Sequence, residues 1–275
     1  MNILFIGDIF AKPGREIARR AIPAIVATRA IDLVIANVEN TAAGFGVTGD
    51  IADTILEFGV DVMTSGNHVW DKKEVLDYIA RQPRLLRPAN FPTGAPGRGS
   101  VVARTRTGEP VGVLNLMGRV FMTPLDDPFA LAIRELDTLR AKTKVTIVDF
   151  HAEATSEKIA MGWHLDGRAT AVIGTHTHVQ TADERILPKG TAYITDAGMT
   201  GPQDSIIGVT VDAALGRFLT GMPAKFEAAA GPARLNAIVI TADPATGRAT
   251  AIGRLNLSHQ DVDALAAQAA EPTRA

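Results

Sequence analysis

Two histidines near the end of an apolar run have a spacing that suits metal binding. The run at residues 171–178, AVIGTHTH, ends in His176 and His178, which are separated by a single residue. In an extended strand alternate side chains share a face, so both imidazoles would project the same way, ~6.5 Å apart along the chain. Such a pair suits two ions better than one, because the metals of a dinuclear centre lie about 3.5–4 Å apart. An ordinary polar strand end has the same pattern, so the interpretation depends on the rest of the chain.

Polar side chains also follow four other apolar, β-favouring runs, at residues 2–7, 33–38, 60–64 and 145–150. These side chains are Asp8, Glu39 with Asn40, Asn67 with His68, and His151. Open parallel sheets bind ligands outside the carboxyl ends of their strands. One such strand end is readily explained as a helix cap or a turn, but five that meet at the same edge are hard to attribute to chance. We therefore expect these side chains and the two histidines to converge on one crevice.

Helical patterns separate the first strands and would position their ends. We predict helices up to about residue 29, over 48–58 and over 71–81, the last with Asp71 as its N-cap. Pro23 lies inside the first pattern, where it should kink or interrupt the helix because it removes a hydrogen bond. Three successive βα units predict a largely parallel sheet with right-handed crossovers.

The remainder of the chain predicts further strands and helices within one domain over residues 1–260. Residues 261–275 would form a C-terminal tail that is either a frayed helix or disordered. The predicted elements are a hairpin over 100–106 and 110–116, helices over 128–142, 153–163 and 213–219, strands over 184–187 and 191–195, and a hairpin over 233–242 and 250–257.

Composition limits the classes of function. The 275-residue chain is 46% hydrophobic and 21% charged, and it contains no cysteine. No segment approaches the ~18 uninterrupted apolar residues that a membrane span needs, and the first residues lack the basic start of a signal peptide. A formal net charge of −2 without a basic run excludes the electrostatic footprint of a duplex-binding protein. We expect a soluble, cytoplasmic protein without thiolate metal ligands, and a small anionic substrate is compatible with this charge.

Three other patterns offer competing chemistry. Residues 44–49 fit G-x-G-x-x-G, which would make the protein a dinucleotide-binding oxidoreductase, but residues 39–43 separate the first glycine from the preceding strand. Asp50 and Asp53 resemble a phosphoesterase G-D-x-x-D motif, yet they suit the first turn of a helix better. Asp149 lies two residues before His151 on one strand face, where it could orient that histidine from behind.

Several of these motifs resemble those of the calcineurin-like metallophosphoesterases, namely Gly7-Asp8, Gly66-Asn67-His68, His151 and residues 174–178. Over nearly the whole chain the sequence is similar to one branch, the YmdB-type bacterial phosphodiesterases. That branch begins with a GD-x-x-x-x-PGR pattern, here Gly7-Asp8 with Pro13-Gly14-Arg15, and its other typical stretches fall at 39–40, 149–155 and 195–202. Phe10 and Glu39 depart from the wider superfamily, which has a metal-binding histidine and a bridging aspartate there. Both departures are typical of the branch and leave the first metal with one histidine fewer.

The resemblance implies an α/β fold of four layers, an α/β/β/α sandwich in which two mixed β-sheets lie face to face with helices outside. It also implies a dinuclear metal centre at one sheet edge, with Glu39 bridging the ions. Its other ligands would be Asp8, Asn40 and His178 for one ion and Asn67, His151 and His176 for the other. Such N and O ligands without thiolate suit iron, manganese or zinc, of which we expect iron, in the divalent or trivalent state.

The activity implied by the resemblance is phosphodiester hydrolysis, with 2',3'- or 3',5'-cyclic nucleotides as expected substrates. Two ions would lower the pKa of a bridging water, supply hydroxide and neutralise charge on the phosphoryl group. His68 would be the catalytic acid that protonates the leaving oxygen. A phosphomonoesterase or a nuclease with the same metals remains an alternative, as does the oxidoreductase from a different class. The sequence leaves a homo-oligomer open.

Overall fold

A computed structural model of the chain describes residues 1–270. Its strands are β1 (Asn2–Ile6), β2 (Asp8–Ile9), β3 (Leu33–Asn37), β4 (Val62–Thr64), β5 (Ser100–Arg104), β6 (Pro110–Met117), β7 (Thr146–His151), β8 (Ala171–Thr175), β9 (Arg185–Ile186), β10 (Ala192–Ile194), β11 (Met199–Pro202), β12 (Ala233–Ala242) and β13 (Ala249–Leu257). Its helices are α1 (Ala11–Arg29), α2 (Gly49–Glu57), α3 (Val75–Arg81), α4 (Pro128–Arg140), α5 (Thr155–His164), α6 (Val211–Thr220) and α7 (His259–Ala270).

The strands form two sheets, and both sheets are mixed. The first has the order β2-β11-β12-β1-β3-β4, with β13 also paired to β12. Its β1, β3 and β4 are parallel, as the successive βα units predict, whereas β12 joins β1 antiparallel. The second has the order β5-β6-β7-β8-β10-β9, with parallel strands in the middle and antiparallel pairs at both edges. The predicted pair of mixed sheets is confirmed.

The layers of the fold follow from the side chains of the buried strands, which point alternately to the two faces of each sheet. On β1, Ile3 and Phe5 pack into the core between the two sheets, whereas Leu4 and Ile6 pack against the helices outside the first sheet. Because successive side chains of a strand point to opposite faces, a strand that is apolar throughout can join two cores at once. A third core, which includes Phe150, lies between the second sheet and α4 and α5. The resulting order of layers is helices, sheet, sheet, helices, as the family resemblance implies.

The predicted interruption of the first helix at Pro23 is wrong, and so is the predicted N-cap at Asp71. The helix α1 runs through Pro23 without interruption. Pro23 and Arg19, whose carbonyl loses its partner, are both exposed, so water can satisfy that carbonyl while buried Ile22 and Ile25 hold the helix on the sheet. Asp71 does not cap a helix, because α3 begins only at Val75.

The C-terminal region packs onto the first helix. Residues 261–270, which the sequence analysis assigns to a tail, belong to α7, where Val262 is buried and Asp263 pairs with Arg20 of α1. Residues 271–275 of the predicted tail lie outside the described residues, and the boundary at residue 260 stays a prediction. Within residues 1–270, no helix has both the length and the apolar character that a membrane crossing requires.

Candidate metal centre

The predicted site residues meet at one edge, where strands of both sheets end. The first sheet contributes five of the eight, which follow β1, β3 and β4, and the second contributes three, at or after the ends of β7 and β8. The convergence of polar strand ends is therefore observed, although the roles of the individual side chains stay predictions. The eight residues are Asp8, Glu39, Asn40, Asn67, His68, His151, His176 and His178.

One group of these side chains surrounds the imidazole of His151. Its Nε2 atom lies 2.8 Å from Oε1 of Glu39, 3.0 Å from Oδ1 of Asn67 and 3.1 Å from Nδ1 of His176. Ligand atoms of Glu39, His151 and His176 all lie within 4.8 Å of one another. A single cation placed among them could therefore bind all three.

Gly66 makes room for this group. A Cβ atom at residue 66 would lie 2.0 Å from Cδ2 of the His151 ring, a distance that no side chain can occupy. The glycine is thus required by the close approach of the loop after β4 to the end of β7. Any larger residue would push Asn67 and His151 apart.

A second group lies beside the first. Nε2 of His178 is 3.0 Å from the amide Nδ2 of Asn40 and 3.8 Å from Oδ1 of Asp8. That Oδ1 atom is buried and has no hydrogen-bond partner within residues 1–270. The other oxygen of Asp8 accepts the backbone N–H of His176 at 3.3 Å, which links the two groups. Rotation of the Asn40 amide by 180° would present its Oδ1 atom, the metal-binding atom, in place of Nδ2.

Hydrogen bonds behind two histidines select the tautomer that a metal ligand needs. The hydroxyl of Thr175 donates to Asp149 at 2.7 Å, so it accepts from Nδ1–H of His151 at 2.9 Å. Nδ1–H of His178 donates to the carbonyl of Ile207 at 2.8 Å. In both rings Nε2 is then the nitrogen that faces the site; it would bind a metal directly in His178, and in His151 once a metal has displaced the proton that it shares with Glu39. Asp149 thus acts on His151 through Thr175.

The charges of the site call for a cation. Burial raises the pKa of Asp8, whose carboxylate lies in the interior. Burial would also raise the pKa of Glu39, but the charge and hydrogen bond of His151 outweigh it and lower the pKa to about 2. Burial opposes the charge on His151, yet Glu39 raises the pKa of this imidazole to about 9. Burial and the neighbouring His151 together lower the pKa of His176 to about 3.

These shifts test whether the residues fit a metal. A proton on His151 is the counter-charge that Glu39 uses, and Asp8 has none of its own within hydrogen-bond distance of Oδ1. Buried charges in proteins are normally paired or bound to metals. Transition-metal ions would replace the proton and satisfy the orphaned oxygen with the imidazole, amide and carboxylate donors already present. The residues therefore fit a metal centre.

The backbone of the two terminal histidines differs from the predicted extended strand. Strand β8 ends at Thr175, and His176 and His178 have positive φ values of 101° and 67°. Non-glycine residues rarely adopt such φ, and when they do the surrounding structure must hold them there. The prediction that the two imidazoles share one face of a strand is therefore wrong, although both reach the site through a turn.

A buried ion pair holds this turn. Oδ2 of Asp196 accepts both the backbone N–H of Thr177, at 3.1 Å, and its hydroxyl, at 2.6 Å. The same oxygen lies 2.6 Å from Nζ of Lys158, and both charged groups are buried. The residue between the two histidines is thus fixed by a carboxylate whose charge is compensated from α5.

We expect Lys158→Ala to lower the free energy of unfolding by about 3–5 kcal/mol, because the substitution leaves the Asp196 carboxylate buried and unpaired. Urea unfolding followed by circular dichroism measures the change. Lys12→Ala serves as the control, because Lys12 forms an ion pair with Glu16 on the surface of α1, and its loss should change stability by less than about 1 kcal/mol. Similar small effects of both substitutions would contradict the proposed importance of the buried pair.

His68 lies beside the two groups without joining them. Its backbone N–H donates to Oε2 of Glu39 at 3.0 Å, whereas its Nδ1 lies 2.8 Å from Oδ2 of Asp71. The bond to Asp71 leaves Nε2 as the nitrogen free for other chemistry. The ring also packs edge-to-face against Phe45, with centroids 5.1 Å apart. Asp71 is thus a neighbour of the predicted acid, a role that sequence reasoning missed.

Glu153 is a further residue that sequence reasoning missed. Its Oε2 atom lies 3.0 Å from Nε2 of His176, and about half of its side chain is exposed. Glu153 falls within the stretch 149–155 that carries the family resemblance. A glutamate two residues after a strand does not by itself indicate a functional residue, so the sequence offered no reason to select it. It can orient the His176 ring from the solvent side.

The competing acidic motif lies away from this site. Oδ1 of Asp53 accepts a hydrogen bond from the hydroxyl of Tyr78 at 2.5 Å, and Asp50 lies in the first turn of α2. Both line a separate surface depression with Glu74 and Arg81. The prediction that they lie in the first turn of a helix is confirmed for Asp50 and wrong for Asp53, which is the fifth residue of α2.

Comparison with known proteins identifies the family. The sequence profile of the family described as YmdB-like protein matches residues 4–255, nearly the whole chain. The chain belongs to the YmdB-like family. A relative from Bacillus subtilis (strain 168), named 2',3'-cyclic-nucleotide 2'-phosphodiesterase, is 49% identical over 255 residues, which cover 93% of this chain and 96% of the relative.

Solved structures of similar proteins agree with this membership. A hypothetical protein from Thermus thermophilus is 46% identical and has a TM-score of 0.88, with 94% of this chain and 99% of that one covered. A protein described as a novel phosphatase from Mycoplasma pneumoniae is 35% identical, also with a TM-score of 0.88, over 94% and 93% of the two chains. The predicted YmdB-type resemblance and its sandwich fold are confirmed.

In this YmdB-like chain the glycine motif at residues 44–49 does not lie where a dinucleotide-binding oxidoreductase would need it. The dinucleotide fingerprint needs its first glycine in the turn directly after a strand. Here β3 ends at Asn37, and residues 38–43 separate it from Gly44. The loop at 44–49 instead borders the cavity beside the candidate metal centre, to which it contributes Gly44 and Phe45.

Proposed function

We propose that this chain is a metal-dependent phosphodiesterase that hydrolyses small phosphodiesters, foremost 2',3'- or 3',5'-cyclic nucleotides. One observation carries the proposal: two adjacent groups of N and O side-chain atoms share one edge with His68, whose side chain joins neither group. The names of the Bacillus and Mycoplasma relatives support a phosphoric ester hydrolase.

We assign the ligands in two sets that share Glu39. The contacts around His151 support one set, and the contact of His178 with Asn40 supports the other. Imidazole, carboxylate and amide donors without thiolate suit iron, manganese or zinc alike. Iron is our first choice because of the family resemblance, with manganese or zinc as alternatives. Bound ions would polarise the phosphoryl group and lower the pKa of a water molecule. The sets are Asp8, Asn40 and His178 for one ion and Asn67, His151 and His176 for the other.

The protein's own groups provide the remaining chemistry. Thr175 and the Ile207 carbonyl hold His151 and His178 with Nε2 towards the site. His68 can hold a proton on Nε2 while Asp71 accepts from its Nδ1–H. Delivery of that proton to the leaving oxygen would avoid expulsion of a strongly basic alkoxide. The adjacent cavity of 550 Å³ has the size of a small-molecule site.

Paired substrates test the proposed function. We expect the purified, metal-loaded protein to hydrolyse 2',3'-cyclic AMP much faster than the monoesters 2'-AMP and 3'-AMP. Faster release of phosphate from the monoesters would make the protein a phosphomonoesterase. Tight NAD binding without metal would favour the oxidoreductase alternative.

We expect Glu39→Ala to reduce metal retention and diester hydrolysis by at least about 10²-fold, the upper range seen when a ligand's supporting partner is lost. Glu39 is buried and its Oε1 lies 2.8 Å from Nε2 of His151, so the substitution removes a carboxylate from the centre of the proposed ligand set. Asp50→Ala and Asp53→Ala are matched controls that remove a carboxylate outside the site. Elemental analysis and rates on the same preparations measure both effects. Equal damage from the controls would assign metal binding to Asp50 and Asp53 instead of Glu39.

A further inference from the structure

The cavity beside the candidate metal centre is lined by residues of opposite character. Glu39 and His176 are among its polar residues, whereas Phe45, Ile207 and Phe218 are among its apolar ones. We call these last three residues the apolar wall. Hydrolysis of a phosphodiester needs only the polar residues to reach the phosphoryl group, so the proposed function leaves the apolar wall without a role.

Two residues of the apolar wall are unusually exposed. Phe218 is 81% exposed and Ile207 is 55% exposed. Ile207 also has a φ of 48°, a costly conformation for a β-branched residue. Its carbonyl accepts the hydrogen bond of His178 Nδ1, so the strained turn connects the apolar wall directly to a proposed metal ligand. Strain and exposed apolar area at one place are typical of a ligand-binding site.

The glycine-rich loop at residues 44–49 presents the third residue of the wall. Gly44 has a φ of +97°, and a Cβ atom there would lie 2.8 Å from Cζ of Phe10. The glycine therefore lets the loop pass over Phe10 and turn the ring of Phe45 towards the cavity. Phe45 packs edge-to-face on His68, with centroids 5.1 Å apart. The loop thus places an aromatic ring next to the residue proposed to protonate the leaving group.

The chemistry of the wall favours an aromatic occupant over an aliphatic one. Phe45 and Phe218 offer π faces, and Arg217 of the same cavity places its guanidinium 5.3 Å from the ring centroid of Phe226. Aromatic rings and guanidinium planes both stack on nucleic acid bases, whatever the base. An alkyl chain would gain nothing from the guanidinium. The distance from phosphoryl group to base in a nucleotide also requires a base site close to the metals.

We propose that the apolar wall is the subsite for the base of the nucleotide substrate. This inference rests on the proposed function, because the phosphoryl group must be held by the metal centre for the base to reach the wall. The base stacks on Phe45 or Phe218 and excludes water from the apolar wall. The metal centre then selects the phosphodiester, and the wall selects nucleotides among phosphodiesters.

The test compares a substrate that carries a base with one that does not. We would measure kcat/KM for 2',3'-cyclic AMP and for ethylene phosphate, a five-membered cyclic diester without a base. For Phe218→Ala and Phe45→Ala we expect the ratio of the two values to fall by roughly 5- to 150-fold, the loss typical of a removed base–aromatic stack. Phe218→Trp should keep the ratio, whereas Phe218→Leu, which is apolar without a π face, should lower it.

Leu219→Ala is the matched control, because Leu219 neighbours Phe218 on α6 and is 75% exposed, yet does not line the cavity. Its ratio should equal that of the unmodified protein. An unchanged ratio in both phenylalanine variants would overturn the subsite while diester hydrolysis persists, whereas no hydrolysis of either substrate by the unmodified protein would overturn the proposed function. A changed oligomeric state of Phe218→Ala with an unchanged ratio would assign the exposed side of α6 to contact with a second copy of the chain instead.

Discussion

Chelation is expected to remove two transition-metal ions per chain and to abolish phosphodiester hydrolysis. The site buries the carboxylates of Asp8 and Glu39 beside His151, and one Asp8 oxygen lacks any hydrogen-bond partner within residues 1–270. Without ions, Glu39 depends on a proton on His151 and the buried oxygen of Asp8 stays without a partner, which is costly in the protein interior. Re-addition of iron, manganese or zinc should restore activity, and the most effective ion would identify the metal.

The unfolding temperature provides a test of metal binding that does not depend on activity, because binding and folding are linked. A ligand that binds only the folded state stabilises it, by about 2.7 kcal/mol at a free concentration one hundred times its dissociation constant. We therefore expect the chelated protein to unfold at a lower temperature and each re-added ion to raise the midpoint. Elemental analysis with at most one ion per chain at full activity would contradict the dinuclear assignment. A midpoint that does not respond to any metal would contradict a metal centre altogether.

The strand ends of the site were predictable from the sequence alone. The runs before Asp8, Glu39 and His151 are predominantly apolar and β-favouring, a pattern typical of strands buried on both faces. Once the strands of one sheet are parallel, their carboxyl ends must share an edge, so convergence within each sheet follows without knowledge of any distance. That the edge of the sheet with β1, β3 and β4 meets the edge of the sheet with β7 and β8 does not follow from the pattern. What the pattern leaves open is which side chains touch. The contact of Asn40 with His178 joins residues 138 positions apart.

The errors have a common physical cause, because tertiary contacts override local preference. Pro23 stays within α1 because buried neighbours hold the helix and the freed carbonyl faces solvent. Asp71, a good N-cap by type, is instead engaged by His68. His176 and His178 leave the extended conformation because Asp196 holds Thr177 between them.

The buried lysine shows why the contact of Asp196 with the turn at Thr177 was not predictable from the sequence. Lys158 lies on α5, where a lysine normally belongs to the solvated face. Its partner Asp196 follows β10, 38 residues later in the chain. No sequence period connects them, so the support of the turn emerges only when the two elements pack together. Asp196 joins Lys158 to Thr177, so we expect loss of this distant pair to disturb the turn that carries His176 and His178 as well.

Substitution of His68 by alanine is expected to slow hydrolysis of a cyclic nucleotide by about 10²–10⁴-fold, the usual contribution of a general acid. Metal content should remain nearly unchanged, because the side chain of His68 contacts Asp71 and Phe45, and only its backbone N–H contacts Glu39. The leaving oxygen of a ribose departs poorly without a proton. Metal analysis and rates on one preparation measure both expectations.

The choice of leaving group separates an acid from other roles of His68. A nitrophenolate departs without a proton, so His68→Ala should affect a nitrophenyl diester much less than a cyclic nucleotide. Asp71→Asn keeps the size of the side chain but weakens its bond to Nδ1–H of His68, so it should produce a smaller loss with the same dependence on leaving group. Loss of metal together with activity would make His68 a ligand. Equal losses of rate on both substrates would indicate that His68 helps to bind the diester and does not act as an acid. Only proton delivery depends on the basicity of the departing oxygen.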